Sequence, residues 1–272
     1  GHPRRAPEKV PPHGIPMRPW RRSRYLSTFQ DGFSSFVEAA AAAGGYDSTD
    51  IAKRAEEAAR AVISGTAAFE RDGVTFVDPD PRWPVVAGLL LGRREGQPLR
   101  VLDIGGGLGS SYWQNRGLLE QGLSGQSLEW TVVEQPSMVE RAVSLPPHGI
   151  QYVEHAADAD TDGANCVLLS SSLQYLNEPH HLLVELLDTG ARGLVIDRTP
   201  MVPTGVDIPC VQITPPHIYR ASYPVWVFSQ AQLESALKDW AIVARFPGIE
   251  PDMKTTSGIA FSWRGLIAVR RD

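Results

Sequence analysis

The stretch Val101 to Ser111, VLDIGGGLGSS, constrains this chain more than any other. Residues of strand character run into a turn almost without side chains and then into a segment able to start a helix. Bare backbone of that kind brings amides against a ligand, at the edge where open α/β sheets bind one. The residues that follow suit such a sheet. LRVLDI (99–104), EWTVVE (129–134), IQYVE (150–154), CVLLSS (166–171) and GLVID (193–197) are short apolar runs separated by helix-competent segments such as 137–143 and 180–187. The expected fold class is α/β, Rossmann-like, with a mostly parallel sheet covered on both faces. AIVARF (241–246) and RGLIAVR (264–270) come last, with no helix between them, and are expected to pair as a C-terminal antiparallel hairpin.

Three regions divide the 272 residues. Residues 1–25 form a basic, proline-rich arm in which Arg4, Arg5, Lys9, Arg18, Arg21, Arg22 and Arg24 face the single acid Glu8. Such an arm is solvated or lies along a partner subunit, so a homodimer is one assembly it could serve. Residues 26–97 read as an N-terminal helical cover, with helices expected over 33–43, 50–63 and 85–91 and a turn at Asp72-Gly73. Residues 98–272 read as the ligand-binding domain. Within it 198–228, rich in proline and aromatics, reads as a lid-like insertion. A formal net charge of −5 argues against a nucleic-acid surface over the whole protein. No run approaches the roughly 18 apolar residues of a membrane helix, so a cytoplasmic protein without a membrane partner is expected. Cys166 and Cys210 lack ligand spacing and read as plain thiols. DADTDG (158–163) resembles the start of a calcium loop, but its twelfth position is Leu169 where glutamate is required, so no metal site is expected.

Three ligand classes compete for the glycine turn. A phosphate-binding P-loop would end in Gly-Lys-Ser/Thr, whereas this turn ends Gly109-Ser110-Ser111. A dinucleotide fingerprint wants GxGxxG, and here Ser110 stands at the third glycine. Asp103, just before the glycines, would face a pyrophosphate, a costly repulsion in a dry site, but would welcome an ammonium group. S-adenosylmethionine carries an ammonium, a ribose and an adenine and no phosphate. Its ribose diol asks for an acid at the end of the second strand, where Glu134 stands in TVVEQ. The pair of acids favours this donor over a nicotinamide cofactor.

VLDIGGGLGS with VVEQP, LLSSSLQYLNEP and the terminal strand pair resemble a class I S-adenosylmethionine-dependent methyltransferase from about residue 98 to the end. More narrowly, GGYDS (44–48), FERD (69–72), GGGLGSSYWQ (105–114), SSSLQYL (170–176) and PPHIYRASYPVW (215–226) resemble a bacterial group of methyltransferases met among polysaccharide and secondary-metabolite pathways. The resemblance implies a seven-stranded sheet with a helical cover. By position it implies that Asp103 and the backbone of Gly105, Gly106, Gly107 and Gly109 hold the methionine part, Glu134 the ribose, Gln135 the adenine side, and Ser170 or Ser171 the donor.

Methyl transfer is an in-line displacement, so the protein has to align a nucleophile, exclude water and remove a proton from a hydroxyl or ammonium acceptor. Histidine is the usual base. His217, in the aromatic lid with Tyr219, Tyr223 and Trp226, ranks first, ahead of His180 and His181 after the fourth strand, of which at most one faces the site. Asp197 and Arg198 could orient an acceptor or pair structurally. Tyr46 and Arg71, with Glu70 and Asp72, could close on donor or acceptor, or form an interface ion pair. The expected activity is methyl transfer to oxygen or nitrogen of a small, sugar-like or natural-product acceptor. The rivals are a nicotinamide-dependent oxidoreductase and a methyltransferase-like fold used for binding or a non-methyl reaction.

Overall fold

The computed structural model describes residues 27–46, 48–159, 164–215 and 221–271. The arm, His217, Tyr219 and most of the DADTDG stretch lie outside these residues, and of Tyr46 only the backbone is described. The cover contains strand β1 (Thr28–Gln30), helix α1 (Phe36–Ala42), strand β2 (Gly45–Tyr46), helix α2 (Ser48–Ile63), the hairpin β3 (Phe69–Arg71) and β4 (Val74–Phe76), and helix α3 (Trp83–Gly92). Asp72 and Gly73 turn the hairpin with φ of 52° and 74°, the paired left-handed conformation that tight hairpins require. The sheet domain then runs β5 (Leu99–Ile104), α4 (Ser110–Gly122), β6 (Leu128–Val133), α5 (Pro136–Val143), β7 (Ile150–Val153), β8 (Cys166–Ser170), α6 (Pro179–Leu187) and β9 (Gly193–Val202). It closes with β10 (Ile208–Ile213), β11 (Ala221–Ser229), α7 (Gln230–Ser235), β12 (Trp240–Pro247), β13 (Met253–Lys254) and β14 (Ala260–Arg270).

Strands β7, β6, β5, β8 and β9 pair in parallel in that order, β14 lies antiparallel against β9, and β12 pairs antiparallel with β14 on the outside. The expected closing pair is therefore present, with the last strand inserted between its partner and the parallel set. Counted along this sheet the order is 3-2-1-4-5-7-6. A classical dinucleotide-binding sheet has order 3-2-1-4-5-6 and no antiparallel strand there. The chain reverses its direction of winding between β5 and β8, which makes the crevice at their carboxyl ends the topological switch point.

Period two along β5 divides the core. Leu99 and Val101 face a cluster with Leu89, Leu119 and Trp130 beneath α3 and α4, whereas Leu102 and Ile104 face Leu183, Leu186 and Leu233 beneath α6 and α7. Helix α3 comes close enough to the sheet for Gly92 to sit against Gly193: a Cβ on Gly92 would lie 2.6 Å from the Gly193 Cα and from Cys166 Sγ.

The segment 198–228, expected as an irregular lid, is largely strand. β9 runs five residues past the expected Asp197, and β10 and β11 build a second sheet at the carboxyl end of the first. There β10 lies between β1 and β11, and β11 joins β9 at Met201 and Val202. Phe29, Cys210, Val225, Val227, Phe261 and Trp263 form the core of this layer. Pro209 and Pro224 argue against strands in the sequence, because proline cannot donate to a ladder. The structure accommodates both: β1 spans only 211–213 of β10, and the far side of β11 is paired only at 221–222 and 228–229. Neither proline is asked for an N–H on that side.

Two glycine substitutions are expected to act with opposite sign. Gly92→Ala overpacks the α3–β9 contact and should destabilise by about 1–3 kcal/mol. Gly117→Ala, on the exposed face of α4 with open space around it, should stabilise by about 0.5–1 kcal/mol. Urea midpoints at unchanged slope check both.

Candidate active site

The glycine loop closes the switch point. Gly105 and Gly109 have φ of 68° and 93°, and neither has room for a side chain: a Cβ would lie 2.6 Å from the Ser172 Cβ at the first and 2.4 Å from Ile150 Cδ1 at the second. At Gly106 a Cβ would lie 2.5 Å from Asp103 Oδ2. The loop is bare because what lies beneath it is already packed.

Asp103 is that packing. It shares a face of β5 with Leu99 and Val101, so its carboxyl points into the layer under the loop and is only 1% exposed. Trp130, on β6 opposite Val101, donates its indole N–H to Oδ2 at 3.1 Å, and Oδ1 has no partner. Burial raises its pKa to about 7, the Trp130 hydrogen bond opposing and the nearby Glu134 charge adding to the rise. Glu134 follows β6. It accepts the Gly107 N–H at 3.1 Å and the Gln135 N–H at 2.8 Å, and its pKa is also raised by burial, against those two bonds. Among the described residues neither carboxyl has an ion-pair partner. Gln135 is exposed at the head of α5 and makes no side-chain capping bond.

Ser170, Ser171 and Ser172 leave β8 alongside this loop. Ser170 is in register with Asp197, and Ser171, at φ 58°, donates its N–H to the Asp197 carbonyl. Sequence reasoning passed over two buried neighbours. Ser172 packs on Gly105 with its hydroxyl unpartnered, and Gln174 donates to Ser171 Oγ at 3.2 Å and to the Arg198 carbonyl at 3.4 Å. Both stand in SSSLQYL, and polar residues at the switch point were the available signal.

The acceptor-side candidates separate. Asp197 is 1% exposed and is clasped by Arg82 of the cover at 3.1 and 2.9 Å, while Arg82 also donates to the Pro247 carbonyl and lies over the Phe246 ring. Arg198, at φ 54°, pairs with Glu250 at 2.6 Å and Asp72 at 3.3 Å. These pairs lock the middle of β9 to the cover and to the chain after β12. Arg71 lies over Phe69 and Phe76, 5.6 and 5.5 Å from their centroids. Trp226 stacks on Phe36 and donates to the Leu176 carbonyl at 3.1 Å, so it braces the second sheet. Tyr223 meets Tyr175 edge-to-face on the side of that sheet that carries Gln212 and Thr214.

The two histidines of α6 are engaged elsewhere. His180 Nε2 lies 2.5 Å from Asp207 Oδ2, a contact that raises the imidazole pKa, and its ring meets Phe228. His181 lies on the exposed side of its helix, 3.7 Å from Glu185. Of these partners, Asp207 lies 27 residues from His180, whereas Glu185 stands one helical turn beyond His181 on the same helix.

No family model and no curated protein matches this chain. Among solved structures it is similar to the N-terminal domain of EvdMO1 crystallised in the presence of SAH and D-fucose, at 16% identity over 84% of this chain and 97% of that one, with a TM-score of 0.42. It is similar to CalS10, an amino pentose methyltransferase of Micromonospora echinaspora, at 13% identity over 70% and 89% of the two chains, with a TM-score of 0.43. It is also similar to magnesium protoporphyrin IX methyltransferase of Synechocystis PCC 6803 with bound SAH, at 17% identity over 93% of each chain, with a TM-score of 0.43.

Breaking the Arg82–Asp197 pair should be costly out of proportion to its size. Asp197→Ala strands a half-buried guanidinium and is expected to destabilise by about 3–5 kcal/mol, and Arg82→Met combined with Asp197→Leu to recover most of that loss. Chemical denaturation of the single and double variants checks it.

Proposed function

We propose that this chain transfers a methyl group from S-adenosylmethionine to an oxygen or nitrogen of a small, sugar-like or natural-product acceptor. The observation that carries this reading is the pair Asp103 and Glu134: two desolvated carboxyls with no ion-pair partner among the described residues, on either side of the glycine-rich backbone at the switch point. A site so built takes a ligand that brings positive charge. It repels a pyrophosphate, and the strand order departs from the dinucleotide-binding one as well. The unpartnered Asp103 Oδ1 and a loop in which Cβ atoms added at Gly105, Gly106 or Gly109 would clash fit the donor.

In this reading the backbone of Gly105 to Gly109 lies along the methionine part. Asp103 acts through that thin layer as a charge, since Gly106 covers it. Glu134 keeps lone pairs for the ribose diol while bonded to Gly107 and Gln135, Gln135 borders the adenine, and Ser170 and Ser171 complete the wall. The bound donor supplies an electrophilic methyl carbon on a sulfonium. What the protein adds is alignment and the exclusion of water. Residues 98–272 hold the donor, and the cover of 26–97 and the layer of 198–228 enclose the acceptor, with Tyr223 and Tyr175 on its wall and Tyr219, Tyr46 and Arg71 as further contacts. His217 remains the candidate base, because the His180 imidazole is engaged by Asp207. Among the described residues no helix is long and apolar enough to cross a membrane and no group of three or more His, Cys, Asp or Glu could hold a metal ion.

Titration calorimetry with S-adenosylhomocysteine and with NAD tests the reading. The homocysteine product is expected to bind and NAD not to; binding of NAD alone overturns the proposal. The product retains the ammonium group, which favours ionised Asp103, so its affinity should rise several-fold from pH 6 to pH 8 as that carboxyl loses its proton near 7.

A further inference from the structure

The head of α4 is an anion site by construction. Its N-cap is Gly109, which offers no side chain to the first-turn amides, and the aligned peptide dipoles place partial positive charge there. In dinucleotide-binding folds this end of the first helix receives the ligand's pyrophosphate. Here a carboxylate of the cover stands at that helix end, bonded to the hydroxyl of its first residue. Glu70, on β3 of the cover, is 3% exposed, accepts a very short hydrogen bond from Ser110 Oγ at the first residue of α4, and accepts the Gly73 N–H at 3.1 Å through its other oxygen. Its sequence neighbour Arg71 does not neutralise it at contact, since successive residues of a strand point to opposite faces and the guanidinium lies over Phe69 and Phe76.

We propose that Glu70 is a specificity residue of the donor site: an internal carboxylate that fills the place at the head of α4 which a ligand phosphate would otherwise occupy. The inference rests on the S-adenosylmethionine reading and adds a separate cause for the exclusion of phosphate. Asp103 lies under the loop and acts by charge alone, whereas Glu70 lies beside the helix end and acts by charge and by occupancy. It also accounts for the one departure from the GxGxxG pattern. The third glycine position is Ser110, whose hydroxyl is what anchors Glu70. Discrimination between nucleotide classes is thereby assigned to a residue outside the sheet domain, donated by the cover.

ADP is the appropriate probe, because it shares the adenosine of the proposed donor and carries phosphate where the donor carries its amino acid. Calorimetric titrations of the full chain with ADP and with S-adenosylhomocysteine are compared for the native protein, Glu70→Ala and Glu70→Gln. The native protein is expected to bind the homocysteine product and not ADP. Glu70→Ala is expected to gain at least tenfold in ADP affinity while S-adenosylhomocysteine affinity stays within about threefold. If Glu70→Ala does not fold by circular dichroism, Glu70→Gln, which keeps the side-chain shape and the Ser110 contact, is expected to gain at least threefold for ADP. A folded variant that still binds the product with less than a threefold gain for ADP overturns the inference and leaves the donor reading intact. Native protein that binds ADP as tightly as the product, with Glu70 in place, overturns the inference directly. Native protein that binds NAD and not the product overturns the donor reading instead.

Discussion

A carboxyl group deprived of both water and a counter-cation governs the centre of this molecule. Asp103 stays unpaired because its face of β5 is an apolar face, and the polar atom that reaches it comes from Trp130 on the neighbouring strand. An isolated buried charge is expensive, so the group either takes up a proton or waits for positive charge from outside. Its raised pKa expresses the first choice, and the thin glycine layer above it makes the second available. Above this unsatisfied group the loop is bare at Gly106, where a Cβ would meet the Asp103 carboxyl.

The rest of the structure holds that crevice in shape. β9 passes through a left-handed residue at Arg198 and continues into a second sheet, and the ladder with β14 shifts register between Arg264 and Leu266, across from that break. Gln174 bonds both sides of the gap between β8 and β9, Arg82 clamps Asp197 from the cover, and Arg198 is held by Glu250 and Asp72. Residues in sparsely populated backbone conformations persist where their surroundings over-determine them. Ser171, just past the end of β8, and Arg198, within β9, are two such residues, and a ring of polar contacts surrounds them.

Much of the fold was legible. The parallel strands announced themselves as apolar runs, the closing pair as two runs without a helix between them, and the cover hairpin as Asp-Gly. The second sheet was hidden by its prolines, because whether proline is tolerated depends on which side of a strand lacks a neighbour, and that is set by strands far away in sequence. The donor side of the candidate site was legible for a similar reason to the fold. Asp103, the glycines, Glu134 and the serines lie at strand ends that the pattern itself locates. The acceptor side was not. Asp197, Arg198, Trp226 and His180 were plausible by position, and their contacts with Arg82, Glu250, Phe36 and Asp207 come from elements far away in sequence.

By itself the sequence determined the faces: which residues point to which side of which strand, where the chain turns, and that an acid stands at the end of an apolar strand before a run of glycine. These follow from backbone periodicity and from local sterics, which need only near neighbours. Tertiary structure alone decided the partners. Ser110 meets Glu70 across 40 positions and Arg82 meets Asp197 across 115. No local rule specifies contacts of that kind, because they depend on how whole elements stack, and at this site they decide which carboxylates are spent on the protein and which remain for a ligand.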